Sequence, residues 1–138
     1  MKAIIAVNNL GFIGNENKLL WKCKADLMLF KGFTTSLSSL NILLVGHNTY
    51  QGLPRILKQS NDKRHVITDI RGELLNDNVL STVDWCIGGK KTYEKYQHLF
   101  TELHISHIND NSIGDTFMPK FDRLSNDCKI FNYYFDAD

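Results

Sequence analysis

The sequence predicts an α/β fold built on a largely parallel sheet. Short β-prone segments alternate with helix-patterned ones along the chain, the pattern of strands joined by helical crossovers. Glycine stands at two strand-to-helix junctions, at Gly46 and at Gly88-Gly89. The 138 residues match the size of one domain, so a single unit spanning 1–138 is expected.

The elements follow in order. Lys2–Val7 is rich in Ile, Ala and Val and reads as the first strand. The segment Asn8–Trp21 holds Gly11, Gly14 and four Asn, a loop long enough to serve as a functional lid. Ala25–Ser36 places Leu27, Phe30 and Thr34 on one helical face. Asn41–Val45 is a short buried strand, and His47–Leu53 a helix stopped by Pro54. Arg64–Thr68 and Asp84–Ile87 are strands, with Asn78–Thr82 able to form another. Lys90–Leu99 is a helix, Glu102–Ile108 an alternating strand, and Cys128–Phe135 an aromatic last strand. In a sheet of this kind the ligand cleft lies at the carboxyl ends of the strands.

Composition narrows the function classes. Hydrophobic residues are 43% and charged residues 22%, which argues for a packed globular chain over a disordered one. Sixteen Lys and Arg against fifteen Asp and Glu leave a formal charge of +1, without the basic excess of a nucleic-acid binder. No apolar run has the length of a membrane span, and the short apolar start lacks a signal-peptide cleavage pattern, so a cytoplasmic protein is expected. Cys23, Cys86 and Cys128 are odd in number and far apart, which suggests neither a disulfide framework nor a metal site. His104 and His107, three apart on a strand, face opposite ways, and no metal is expected.

Two features carry chemistry. The turns Val45-Gly46-His47-Asn48-Thr49 and Ile87-Gly88-Gly89-Lys90-Lys91-Thr92 offer backbone N–H groups at helix starts, a site for phosphate, and the second adds two lysines. Tight strand–helix packing accounts for the same glycines equally well. Asp26 opens a helix, where a carboxylate complements the helix dipole. It also shares a face with Phe30, and a carboxylate in such an apolar pocket suits proton handling or cation recognition. Tyr93, Tyr96 and Phe100 read as core by their spacing.

The chain resembles the dihydrofolate reductases. The resemblance runs through Ile5-Ala6-Val7, Phe12-Ile13-Gly14, Asn17, Trp21, Ala25-Asp26-Leu27, Phe30-Lys31 and Thr34. It continues through Val45-Gly46-His47-Asn48-Thr49-Tyr50, Ile87-Gly88-Gly89, Tyr93-Glu94, His107-Ile108, Gly114-Asp115-Thr116 and Pro119, in family order. It implies a three-layer fold with a central mixed, mostly parallel sheet flanked by helices. It also implies NADPH as cofactor and dihydrofolate as substrate, with hydride delivered to C6 and N5 protonated. Asp26 would hold the pterin and promote protonation, supported by Ser106, with Trp21 reaching the pterin through water. Ile4, Ala6, Leu27, Phe30 and Leu53 would line the substrate pocket, and Asn8–Cys23 would close over nicotinamide. Ala6, Ile13 and Gly14 would meet nicotinamide; Gly46, His47, Asn48, Thr49, Thr68, Ile87, Gly88, Gly89, Lys90, Lys91 and Tyr93 would hold the rest of the cofactor. A cis peptide is implied between Gly88 and Gly89.

Several positions depart from the family pattern. Leu20 and Lys24 stand at family prolines, and His47 stands where an Arg often meets the 2′-phosphate. Asp69 falls near that phosphate, with Lys91 as a counterweight. Lys63, Arg64 or Asp62 occupies the neighbourhood of the Arg that meets the folate α-carboxylate, and Arg and Lys are not equivalent there. One helix after Asp69 and the final antiparallel strand are expected to be missing. The sheet then closes across the gap in a monomer, or a second chain covers the edge in a dimer. Two other functions stay open beside dihydrofolate reduction: a non-catalytic binding protein on this fold, and a reductase of another pterin or a pyrimidine.

Overall fold

The computed structural model describes residues 1–14, 20–35, 40–59, 61, 63–69 and 75–138. Its centre is a six-stranded sheet: β4 (Arg64–Thr68), β3 (Asn41–Val45), β5 (Trp85–Cys86), β1 (Lys2–Asn8), β6 (Glu102–Asn109) and β8 (Lys129–Asp136), in that spatial order. The sheet is mostly parallel, as expected, and every pairing between these six strands is parallel. A separate antiparallel pair joins β2 (Phe12–Gly14) to β7 (Thr116–Phe117).

Parallel strands are covered on both faces, which explains why Leu43, Leu44 and Val45 run consecutively and are all fully buried. The pleat sorts β1 between two layers. Ala3, Ile5 and Val7 pack with Tyr93 and Tyr96 of helix α5 (Lys90–Tyr96), together with Phe100, Leu103 and Ile105. Ile4 points the other way and joins Leu43, Trp85 and, on helix α1 (Lys24–Thr34), Phe30 and Phe33. The helix–sheet–helix layering is therefore written in the alternation of one strand.

The short elements differ from expectation. The helix at His47 ends at Gly52 (α2), and a one-turn helix α3 follows at Arg55–Lys58, after Pro54. Asn78–Thr82 is not a strand: Asp77–Leu80 forms a one-turn helix α4, because the Asn76 side chain caps it by accepting from the Val79 N–H at 2.9 Å. The helix expected over Lys90–Leu99 tightens into a 3₁₀ turn at Gln97–Leu99. The strand expected at Asp84–Ile87 is confined to Trp85–Cys86, although Ile87 N still donates to Leu44 O. The expected helix end at Ser36, the middle of the Asn8–Cys23 loop with Asn17, and Asp62 lie outside the described residues.

β8 lies directly beside β6, in register from Glu102 opposite Lys129 to Asn109 opposite Asp136. β8 and β4 are the edges of the described sheet. His104 and His107 do face opposite ways: His104 is buried between Glu102 and Tyr133, while His107 stacks on Tyr134.

Leu103, at the centre of the α5-side core, is 1% exposed. Leu103→Ala is expected to lose about 2–5 kcal/mol in urea unfolding. Ile113→Ala, at a position 77% exposed, should stay within about 0.5 kcal/mol of wild type.

Candidate active site

A cavity of about 780 Å³ opens at the carboxyl ends of the parallel strands. β1 contributes Ile4, Ile5 and Ala6, and the first turns of α1 contribute Asp26, Leu27 and Phe30. The α2–α3 connection supplies Leu53, Pro54 and Leu57, and the β2–β7 pair supplies Ile13, Gly14 and Thr116. Between them, the turns after β3 and β5 present Gly46–Thr49 and Ile87, Gly89, Lys90, Lys91, Thr92 and Tyr93.

Asp26 is the one carboxylate at the β1 end of this cavity among the described residues. Burial among apolar neighbours pushes its pKa above the usual carboxylate range; the nearby Ser106 hydroxyl draws it back in part. Ser106 Oγ is buried and has no hydrogen-bond partner among the described residues. A buried, unbonded hydroxyl beside a carboxyl is polar capacity held for a ligand or a water.

The two glycine turns interlock through backbone. Gly46 N donates to Gly88 O at 2.6 Å, and the Gly88–Gly89 peptide is cis. A Cβ on Gly46 would run into Thr92 Oγ1, and one on Gly89 into Thr49 Oγ1. Gly88 has φ +103°, and a Cβ there would press on the Tyr93 ring. Packing therefore accounts for all three glycines. Tyr93 is core, as its spacing implied, and its hydroxyl donates to Ile4 O.

The cavity thus carries a half-buried carboxyl at one end and the glycine turns and lysines along the other. A family model described as dihydrofolate reductase matches residues 1–132. The chain belongs to the dihydrofolate reductase family. Among curated relatives it is 27% identical to a dihydrofolate reductase of Buchnera aphidicola subsp. Schizaphis graminum, over 96% of this chain and 84% of the relative. It is 30% identical to that of Mycoplasma genitalium, over 84% of this chain and 81% of the relative. A solved Enterococcus faecalis dihydrofolate reductase, in complex with NADP(H) and RAB-propyl, superposes with a TM-score of 0.67 at 25% identity. That match covers 88% of this chain and 77% of the other. Family and fold support dihydrofolate reduction as the general activity of this reductase.

Most residues expected at the site do line the cavity: Ile4, Ala6, Ile13, Gly14, Asp26, Leu27, Phe30 and Leu53, with Gly46 to Thr49, Ile87, Gly89 to Lys91 and Tyr93. Six do not. Trp21 is buried behind the wall with Cys23 and Ile108. Ser106 sits beneath Asp26, and Gly88 and Thr68 lie just outside the lining. Lys63 is exposed, and Arg64 donates to Thr34 Oγ1 at 3.3 Å; neither reaches the wall. Ile5, Gly52, Pro54, Leu57, Thr92, Lys95 and Thr116 join the wall without having been expected. The i, i+4 spacing from Lys91 was a signal for Lys95. Lys95 pairs with Asp69, at 3.2 Å, and Lys91 lines the same cavity.

Gly46→Ala is expected to destabilise the fold by about 1–3 kcal/mol, since the new methyl meets Thr92 Oγ1. Thr92→Ala in the same chain removes that atom. A double-mutant cycle by thermal or urea unfolding should show positive coupling, with the pair less destabilised than Gly46→Ala alone.

Proposed function

We propose that this reductase converts 7,8-dihydrofolate to 5,6,7,8-tetrahydrofolate with NADPH, hydride arriving at C6 and Asp26 promoting protonation at N5. The observation that carries the reading is the Asp26 carboxyl, raised in pKa and walled by Leu27 and Phe30, in the same cavity as the paired glycine turns. The cavity fits the cofactor: the two glycine turns border its middle, and Lys90, Lys91 and Lys95 line it with positive charge. NADPH, when bound, supplies the hydride. Gly46, Asn48, Thr49 and Gly89 hold its phosphates; Ala6, Ile13 and Gly14 seat its reacting ring.

The remaining work belongs to side chains of this chain. Asp26 accepts from the pterin's amino group and ring nitrogen and fixes the ring against Leu27 and Phe30. Ser106 Oγ, buried and unbonded, completes that recognition directly or through a water. The apolar wall excludes bulk water, which strengthens the Asp26 interaction and raises the proton affinity around it. Holding both reacting carbons in one cavity supplies the orientation that hydride transfer needs. The free cysteines Cys23, Cys86 and Cys128 suit a reducing, cytoplasmic setting.

One observation favours a second substrate reading. No Arg lines the cavity among the described residues, and Arg64 is engaged with Thr34. A pterin without a glutamate tail then loses little on binding. Comparing kcat/KM for dihydrofolate and a tail-less dihydropterin checks this: a ratio within about tenfold supports the smaller substrate, and a ratio beyond about a hundredfold supports dihydrofolate.

Asp26→Asn is expected to lower kcat/KM by about 10²-fold or more near neutral pH, followed as loss of NADPH absorbance with dihydrofolate. The same variant should be more stable than wild type at pH 7. A carboxyl whose folded pKa is raised binds more protons folded than unfolded, so its contribution falls as pH rises from about 3.8 through the folded value. The stability gap between the two proteins should therefore narrow toward acid pH, as read by urea unfolding at pH 7 and pH 4. Wild type that folds but shows no turnover overturns the enzyme reading.

A further inference from the structure

The strand order β4-β3-β5-β1 sets the order of features along the cleft. Asp26 and Ala6 mark the β1 end, the glycine turns follow β5 and β3, and Asp69 stands directly after β4. Asp69 is 8% exposed and lines the cavity together with Lys95 of α5. Lys95 Nζ lies 3.2 Å from Asp69 Oδ2, and the Tyr96 hydroxyl lies 3.5 Å from the same oxygen. Both contacts fall on Oδ2, and Asp69 lines the cleft.

A dinucleotide running from β1 across the two turns brings its adenosine ribose to the end of β4. A carboxylate at such a strand end accepts from a ribose 2′-hydroxyl, whereas a 2′-phosphate calls for a cation. Here the strand end carries both, joined as a pair. A phosphate placed there meets the negative charge of Asp69 and competes with it for Lys95; a 2′-hydroxyl finds an acceptor already positioned. Lys90 and Lys91 on the same wall keep the overall field positive, so the phosphate is tolerated.

We infer that Asp69, held by Lys95, determines cofactor specificity in this reductase: it admits the 2′-hydroxyl dinucleotide beside the 2′-phosphorylated one and narrows the preference between them. This rests on the dinucleotide reading of the cavity given above.

The test is binding, without turnover. Kd values for NADP⁺ and NAD⁺ are measured by titration calorimetry on the full chain, for wild type, Asp69→Asn and Lys95→Gln. Wild type is expected to prefer NADP⁺ by less than about fiftyfold. Asp69→Asn should widen that preference about tenfold or more, chiefly through tighter NADP⁺ binding. Lys95→Gln should shrink it, and serves alone if Asp69→Asn fails to fold. A wild-type preference beyond about a thousandfold overturns the inference, as does an unchanged ratio in the variants that fold, while binding of either nucleotide upholds the dinucleotide reading. Wild type that binds neither nucleotide overturns that reading and this inference with it.

Discussion

The contact between the two strand-to-helix turns organises the rest of the site. Gly46 N reaches Gly88 O at 2.6 Å, and the three glycines leave no room for a Cβ at the seam. With backbone against backbone, β3 and β5 deliver α2 and α5 side by side at the middle of the cleft. Asp26, with Ser106 near it, lies at one end of the cleft, and Asp69 with Lys95 at the other. The glycines are needed for this packing.

The two carboxylates at those ends are held in opposite ways. Asp69 has a cation and a hydroxyl on it, so its charge is compensated where it is buried. Asp26 has no cationic partner among its described contacts and shares the cavity wall with Leu27 and Phe30; burial raises its pKa more than Ser106 lowers it. A half-buried carboxyl without a compensating cation costs stability at neutral pH.

Much of this was legible in the residues. Asp26 and Phe30 four apart on a helix and glycine after two strands follow from period and turn chemistry, while Ile4 and Ala6 came from the family resemblance. What escaped depended on short elements or long-range packing. The one-turn helix at Asp77–Leu80 is decided by the Asn76 cap, a single side chain within a β-prone stretch. Leu57 enters the wall because a turn of helix follows Pro54, too short to show a period. Lys95 was visible by spacing from Lys91, yet only the tertiary position of β4 brings Asp69 to it. Arg64 was placed on the right strand, but its preference for Thr34 over the cavity is a contact between distant segments.

The placement of Asp26 also depends on a strand far from the cavity. α1 begins at Lys24 with no side-chain cap from Cys23. Its first backbone N–H is instead taken by the Asp138 carboxylate at 2.9 Å, and Asp138 N donates back to Lys22 O at 2.7 Å. Trp21, Cys23 and Ile108 pack with Phe135 and Ala137 at the same junction. An acidic group at a helix start is a cap in the usual sense, supplied here from more than a hundred residues away. Asp138 lies two residues past β8 (Lys129–Asp136), and β8 is registered on β6 from Glu102 to Asn109. β6 in turn carries Ser106 on the face toward Asp26. One chain of contacts, from β6 through β8 to the start of α1, therefore sets the position of the carboxyl relative to the hydroxyl beneath it. Trp21, absent from the cavity wall, belongs to that chain: its buried ring secures the approach to α1 from behind.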